Sequence, residues 1–213
     1  MKETQAVENR WLQLWNRAGA KGDPYSPCAD LVRRYSEPHR FYHTLSHITH
    51  CLEELECARH LAVDPDAIEM AIWFHDAIYD TRASDNEERS AELAVRVLRD
   101  ASLPGAFGRN VSDLILTSKH RDLPPLIDGQ IFADVDLSIL GQATAAFDEY
   151  EEQVRREYAR VPDVLFAAGR SAILGSILHR PNIYSTTPFR SKYEEQARKN
   201  LARSLGRWKG AQP

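Results

Sequence analysis

Asp64-Pro65-Asp66-Ala67-Ile68-Glu69-Met70-Ala71-Ile72-Trp73-Phe74-His75-Asp76 is the stretch from which the fold reads outward. Asp64-Pro65 makes a good helix start, because proline's fixed φ suits the first turn and its missing N–H would lack a partner there anyway. Ile68, Ala71, Ile72 and Phe74 then carry an apolar helix up to His75-Asp76. Two titratable groups at the end of the apolar turn Ile72-Trp73-Phe74 are expensive to bury unpaired, and a bound cation would offset that cost for both.

The helical period continues on both sides. Val7, Trp11, Leu14 and Trp15 give an opening amphipathic helix, stopped by Gly22-Asp23-Pro24. A second helix is expected from Cys28 to about Tyr35, ending before Pro38, and a third from Leu45 to Leu61. After the central stretch, residues 84–98 read as helix, with Ser84 and Glu87 in capping-box order. Helices are also expected over 111–120, 147–158, 164–178 and 193–205. Arg121 to Gly129 reads as a loop, and Ile131 to Leu140 is an apolar run that fits helix or strand. No period-two alternation is sustained, and there is no internal repeat. The expectation is an all-α, single-domain helical bundle of about nine or ten helices over residues 1–205, with 206–213 a loose tail.

The chain has 213 residues and a mass of 24.2 kDa, enough for one sizeable core. Its 27 Lys+Arg against 31 Asp+Glu give a net charge of −4. A binder of nucleic-acid polymers or membrane surfaces would need a cationic field, so neither partner is expected. No apolar run approaches the roughly 18 residues of a membrane span, and Met1 to Arg10 lacks the apolar core of a secretory signal. Cys28, Cys51 and Cys57 form no CxxC pair and read as buried thiols in a reduced, cytoplasmic setting. Oligomeric state is left open.

The eight histidines cluster, with His39, His43, His47 and His50 close together. His-Asp as a dipeptide proves little: eight histidines and fifteen aspartates give about 0.6 such pairs by chance. Its apolar surroundings raise it, as does Asp136 within the apolar run from Ile131 to Leu140. Imidazole and carboxylate together suit a divalent ion such as Mn²⁺, Fe²⁺ or Zn²⁺. Asp134 is too near Asp136 for both to face one ion from a regular helix. His43 precedes His47 by four residues, so on a helix the two share a face. Trp11, Trp15, Trp73 and Trp208 read as core or docking aromatics, and the Glu149-Glu151-Glu152 cluster as a solvated helix face.

The order His47, His75-Asp76, Asp136 resembles the H…HD…D signature of the HD-domain metal-dependent phosphohydrolases. Tyr42-His43-Thr44-Leu45-Ser46-His47-Ile48 resembles the entry motif of that superfamily, its cyclic-nucleotide phosphodiesterase branch included. Trp73 to Asp80 resembles the HD helix end, and Asp136-Leu137-Ser138 the closing motif. The chain also resembles a small group of HD-superfamily phosphohydrolases of about this length through Asn86-Glu87-Glu88-Arg89-Ser90-Ala91 and Ile183-Tyr184-Ser185-Thr186. The likeness covers most of the chain, from about Arg34 to Leu201.

The resemblance implies an HD-type helical bundle with His47, His75, Asp76 and Asp136 as ligands of one divalent metal ion (Mn²⁺, Fe²⁺, Zn²⁺ or Mg²⁺). It implies water attack on a small phosphorylated substrate, a nucleotide or related ester. His43 takes the place of the proton donor in the phosphodiesterase-like motif. Asp80 matches the second member of the Glu-Asp pair of the stringent-response nucleotide hydrolases, but Tyr79 stands where they have glutamate. Dinuclear members add two histidines between the HD pair and the final aspartate, whereas here that interval holds only His120, so one metal is expected. Lys119 and His120 are then candidates for phosphate binding, with Arg40, Arg190, Tyr193 and Arg198 as further substrate contacts. Two other readings stay open: a metal-bound nucleotide sensor without turnover, kept alive by Tyr79, and, ranked last, a di-iron oxygenase on the same scaffold.

Overall fold

Helix α4 (Pro65–Phe74) is the axis of the first part of the chain, with every residue from Ala67 to Phe74 buried. It starts where the sequence places it: the Asp64 carboxylate accepts the Ala67 N–H at 2.9 Å, satisfying one of the donors left open at a helix start. The computed structural model describes residues 2–210, without the side chains of 2–5 and 208–210, and all of its regular structure is helical. Ten α-helices and three short 3₁₀ turns occur among the described residues, with no strand. None of these helices is long and apolar enough to cross a membrane. Contacts divide the chain into two compact units, Met1–Ala133 and Asp134–Pro213.

In the first unit α4 is packed by α1 (Lys2–Arg17), α3 (Leu45–Leu55), α5 (Asn86–Asp100) and α6 (Gly105–Leu116), with α2 (Tyr25–Tyr35) against α1. Trp11, fully buried, lies edge-on to Trp73 at 5.4 Å and to Phe74 at 6.1 Å, and its indole N–H donates to the Pro24 carbonyl at 2.8 Å. Glu69 is the exception inside α4. Its buried carboxylate accepts from Arg10 at 3.2 Å, from Arg17 at 2.7 Å and from Arg59. Charge on a buried carboxylate is tolerable only when paired and hydrogen-bonded, and three guanidinium groups do this. Helix α7 (Ile127–Asp136) begins beside α4: the Asp128 carboxylate accepts the N–H groups of Val63 at 2.8 Å and Asp64 at 2.9 Å.

The second unit takes in the end of α7, the 3₁₀ turn Leu137–Gly141, α8 (Thr144–Glu157), α9 (Asp163–Leu178) and α10 (Thr187–Gly210). Its core includes Phe147, Leu174, Ile177, Tyr184, Phe189, Tyr193 and Leu201. Gly141 is required by close approach, since a Cβ there would run into the Tyr193 Cβ. That atom is fixed to α10's backbone and cannot swing aside. Gly141→Ala is therefore expected to cost about 1–3 kcal/mol by overpacking, read as a lower midpoint in urea unfolding.

Several expectations are corrected. The helix expected over 45–61 stops at Leu55 and resumes as the 3₁₀ turn Arg59–Leu61, which carries Arg59 to Glu69. Helix α5 begins at Asn86, not Ser84, and no capping box forms, because Asn86 turns its side chain back to the backbone of Asp80. The ambiguous run 131–140 is helix followed by 3₁₀ turn. Helix α10 starts at Thr187 and continues past Leu205 to Gly210, through residues expected to be a loose tail, and residues 211–213 lie outside the described part. Trp11, Trp15 and Trp73 are core, while the ring of Trp208 lies outside the described side chains. Glu151 is not solvated as expected: it is buried and accepts from Arg170 Nε at 3.0 Å and from the Ser204 hydroxyl at 2.6 Å.

The cysteines also split. Cys28 and Cys51 are buried, but Cys57 is exposed. Burial, with a contribution from Glu8, pushes the Cys28 thiol up to about 11. Only the thiolate attacks thiol reagents. With an aromatic disulfide reagent at pH 8, the folded protein is expected to show a fast phase that Cys57→Ser removes, with Cys28 and Cys51 reacting only on unfolding. A fast phase that survives Cys57→Ser would contradict this.

Candidate metal centre

Three helix ends carry residues that could hold a metal ion. His47 lies in the first turn of α3, His75 is the residue that caps the C-terminus of α4, and Asp136 is the last residue of α7. One ligand atom from each of these three lies within 4.8 Å of the others.

Within the first unit the geometry is tight. His47 Nε2 and His75 Nε2 are 3.2 Å apart. Asp76 Oδ2 lies 3.0 Å from His75 Nε2 and 3.6 Å from His47 Nε2. Both imidazoles are nearly inaccessible, at 4% and 2% exposure. The His75 Nδ1 is 2.9 Å from the Ile72 carbonyl, which can only accept, so Nδ1 carries a proton and Nε2 is the nitrogen that faces the cluster. Burial pushes the Asp76 carboxyl up, but His75, with His43 and His47, outweighs this and holds it well below the usual carboxylate range. Two inward-facing imidazole nitrogens and acidic oxygens make a donor set that fits a divalent cation of borderline hardness.

The loop after His75 is held by side chains that sequence reasoning left out or assigned elsewhere. Arg40 donates through Nη1 to the carbonyls of Asp76 at 2.7 Å and His43 at 3.0 Å, and through Nη2 to that of Ala77 at 3.2 Å. Its Nε donates to Glu37 at 3.1 Å, and the guanidinium lies over the Tyr35 and Tyr79 rings. The side chain is 0% exposed. Arg40 thus ties the His43 entry to the HD loop, a placement unlike the substrate contact expected of it. Ser90 Oγ takes the Ile78 N–H at 3.0 Å, and Asn86 bonds both backbone groups of Asp80. Asn86 and Ser90 are the signal the sequence did contain: they frame the Asn86–Ala91 segment quoted for the family likeness.

His43 is not on a helix with His47, because α3 starts at Leu45 with Thr44 as its N-cap. Its half-buried ring is nonetheless 6.0 Å from that of His47 and 4.3 Å from that of Tyr79. Asp80 is engaged by Arg82, with Nε and Nη2 both at 2.9 Å, which holds its carboxyl down at about 2. Lys119 forms an ion pair with Glu88. His120 ends the 3₁₀ turn Thr117–Lys119 in the left-handed region, with φ of 50°.

In the second unit, Arg190 is exposed and donates to the Ser185 carbonyl at 2.9 Å. Tyr193, expected as a substrate contact, is a core residue whose hydroxyl accepts from Gln142 at 3.0 Å. Arg198 donates to the carbonyls of Leu178, Arg180 and Pro181. Asp134 is buried and accepts the N–H groups of Ser185 and Thr186, both at 2.7 Å. Burial, the largest influence, pushes its carboxyl up to about 6 against those hydrogen bonds.

Comparison with protein-family models, with curated proteins and with solved structures finds no match to this chain.

Proposed function

We propose that this chain is a metal-dependent phosphohydrolase of the HD type, acting in the cytoplasm on a small phosphorylated metabolite, a nucleotide or related ester. The observation that carries this reading is the pair of buried imidazoles with facing Nε2 atoms, 3.2 Å apart, beside the Asp76 carboxylate. His47, His75, Asp76 and Asp136 would hold one divalent ion. Such an ion supplies Lewis acidity toward a phosphoryl oxygen and a water of lowered pKa.

The remaining chemistry falls to the chain. Hydrolysis adds the hydroxyl of water to phosphorus, breaks the P–O ester bond and needs a proton at the leaving oxygen. His43 would deliver it; the ring contact with Tyr79 and the hold of Arg40 on the His43 carbonyl support this reading. Asp80, held at about 2 by Arg82, is a poor base at neutral pH and is suited to orienting water. The test is protein stripped of metal, resupplied with Mn²⁺, Mg²⁺, Fe²⁺ or Zn²⁺ and assayed on a panel of phosphoesters. Turnover with one or more ions is expected, and inactivity with all of them overturns the reading.

The closure of Asp80 by Arg82 favours a second reading, a metal-bound nucleotide sensor. Tight nucleotide binding without product on long incubation would select it.

A further inference from the structure

Asp136 is flanked on both sides by contacts to one short segment. Two residues before it, the Asp134 carboxylate accepts the N–H groups of Ser185 and Thr186 at 2.7 Å each. One residue after it, the Leu137 carbonyl accepts the Tyr184 hydroxyl at 3.0 Å. The segment is itself fixed. Glu194 accepts the Ile183 N–H at 3.0 Å and the Tyr184 N–H at 3.2 Å, so the four N–H groups from Ile183 to Thr186 are engaged by two carboxylates. Glu194 is in turn paired with Arg198 at 2.7 Å, and the Tyr184 ring is wholly buried against Phe189 and Tyr193. The hydrogen bonds of Asp134 and Tyr184 converge on the last turn of α7 and on the first residue of the 3₁₀ turn after it.

We infer that Asp134 and Tyr184 are positioning residues for Asp136: the Tyr184–Thr186 strap clamps the backbone on either side and fixes where the Asp136 carboxylate points. Asp136 ends an α-helix and begins a 3₁₀ turn, where the hydrogen-bond register changes from i−4 to i−3 and the backbone has its least internal support. A carboxylate there is only as well aimed as the clamp is firm. The inference rests on the metal-centre reading above, in which Asp136 is a ligand.

The test is a double-mutant cycle read by titration with Co²⁺, monitoring its visible absorption and the heat of binding. Tyr184→Phe and Asp134→Asn are each expected to weaken Co²⁺ binding by about 10–100-fold, the range for partners that orient a ligand, and to alter the absorption bands. In protein already carrying Asp136→Ala, the same substitutions are expected to change affinity less than about twofold, whereas with His47→Ala their effect persists. Tyr184→Phe removes a single oxygen and guards against misfolding of the Asp134 variant. Single substitutions that leave affinity and spectrum unchanged overturn the inference, as do effects that persist undiminished without Asp136. Failure of the unsubstituted protein to bind Co²⁺ instead overturns the metal-centre reading itself.

Discussion

Protein carrying His75→Ala is expected to lose divalent-metal binding by more than about 100-fold, the upper end of the effect of outer partners alone, and to lose hydrolysis with it. The side chain removed lies against His47 Nε2 at 3.2 Å, Asp76 Oδ2 at 3.0 Å and the Ile72 carbonyl at 2.9 Å. Alanine leaves Asp76 short of its nearest imidazole. Metal content after dialysis and steady-state hydrolysis measure the effect. His179→Ala, an exposed histidine in the second unit, serves as control and should leave both unchanged. Full metal content in His75→Ala protein would remove the basis of the proposed function.

The second large effect is on stability. Trp11→Ala is expected to cost about 3–5 kcal/mol, the range for deleting a large buried aromatic. Trp11 is fully buried among Trp15, Trp73 and Phe74, and its loss leaves the Pro24 carbonyl without the 2.8 Å indole donor. Against a total of about 5–15 kcal/mol for a domain, that is a large fraction. Urea unfolding followed by circular dichroism gives the number. Trp11→Phe, which keeps a ring but not the donor, should cost less. A loss below about 1 kcal/mol for the alanine variant would mean that this aromatic cluster does not hold α1 to α4.

What the sequence disclosed follows a physical division. Features that depend on local chain geometry were readable: Asp64-Pro65 as a helix start and the apolar stripe of α4. His75 and Asp136 stood out as titratable groups in apolar runs, His47 only through the family resemblance, and one ligand atom of each lies within 4.8 Å of the others. Arg40 and Tyr193 went astray because a cation or phenol can face solvent or a carbonyl, and only long-range packing decides which. The same holds for Glu151, whose partner Arg170 lies on another helix. Helix ends were the least legible. Ser84-Glu87 has the order of a capping box, but Asn86 is drawn to Asp80, and that tertiary demand sets the start of α5.

Arg40 has one more consequence. Its guanidinium is sealed from solvent and grips carbonyl dipoles, with Glu37 as its charged partner, so dissolved ions have little access to it. The junction between the His43 entry and the HD loop should accordingly keep its form from dilute buffer to molar salt. Any ionic-strength dependence of binding would then report on the proposed anionic substrate rather than on this junction.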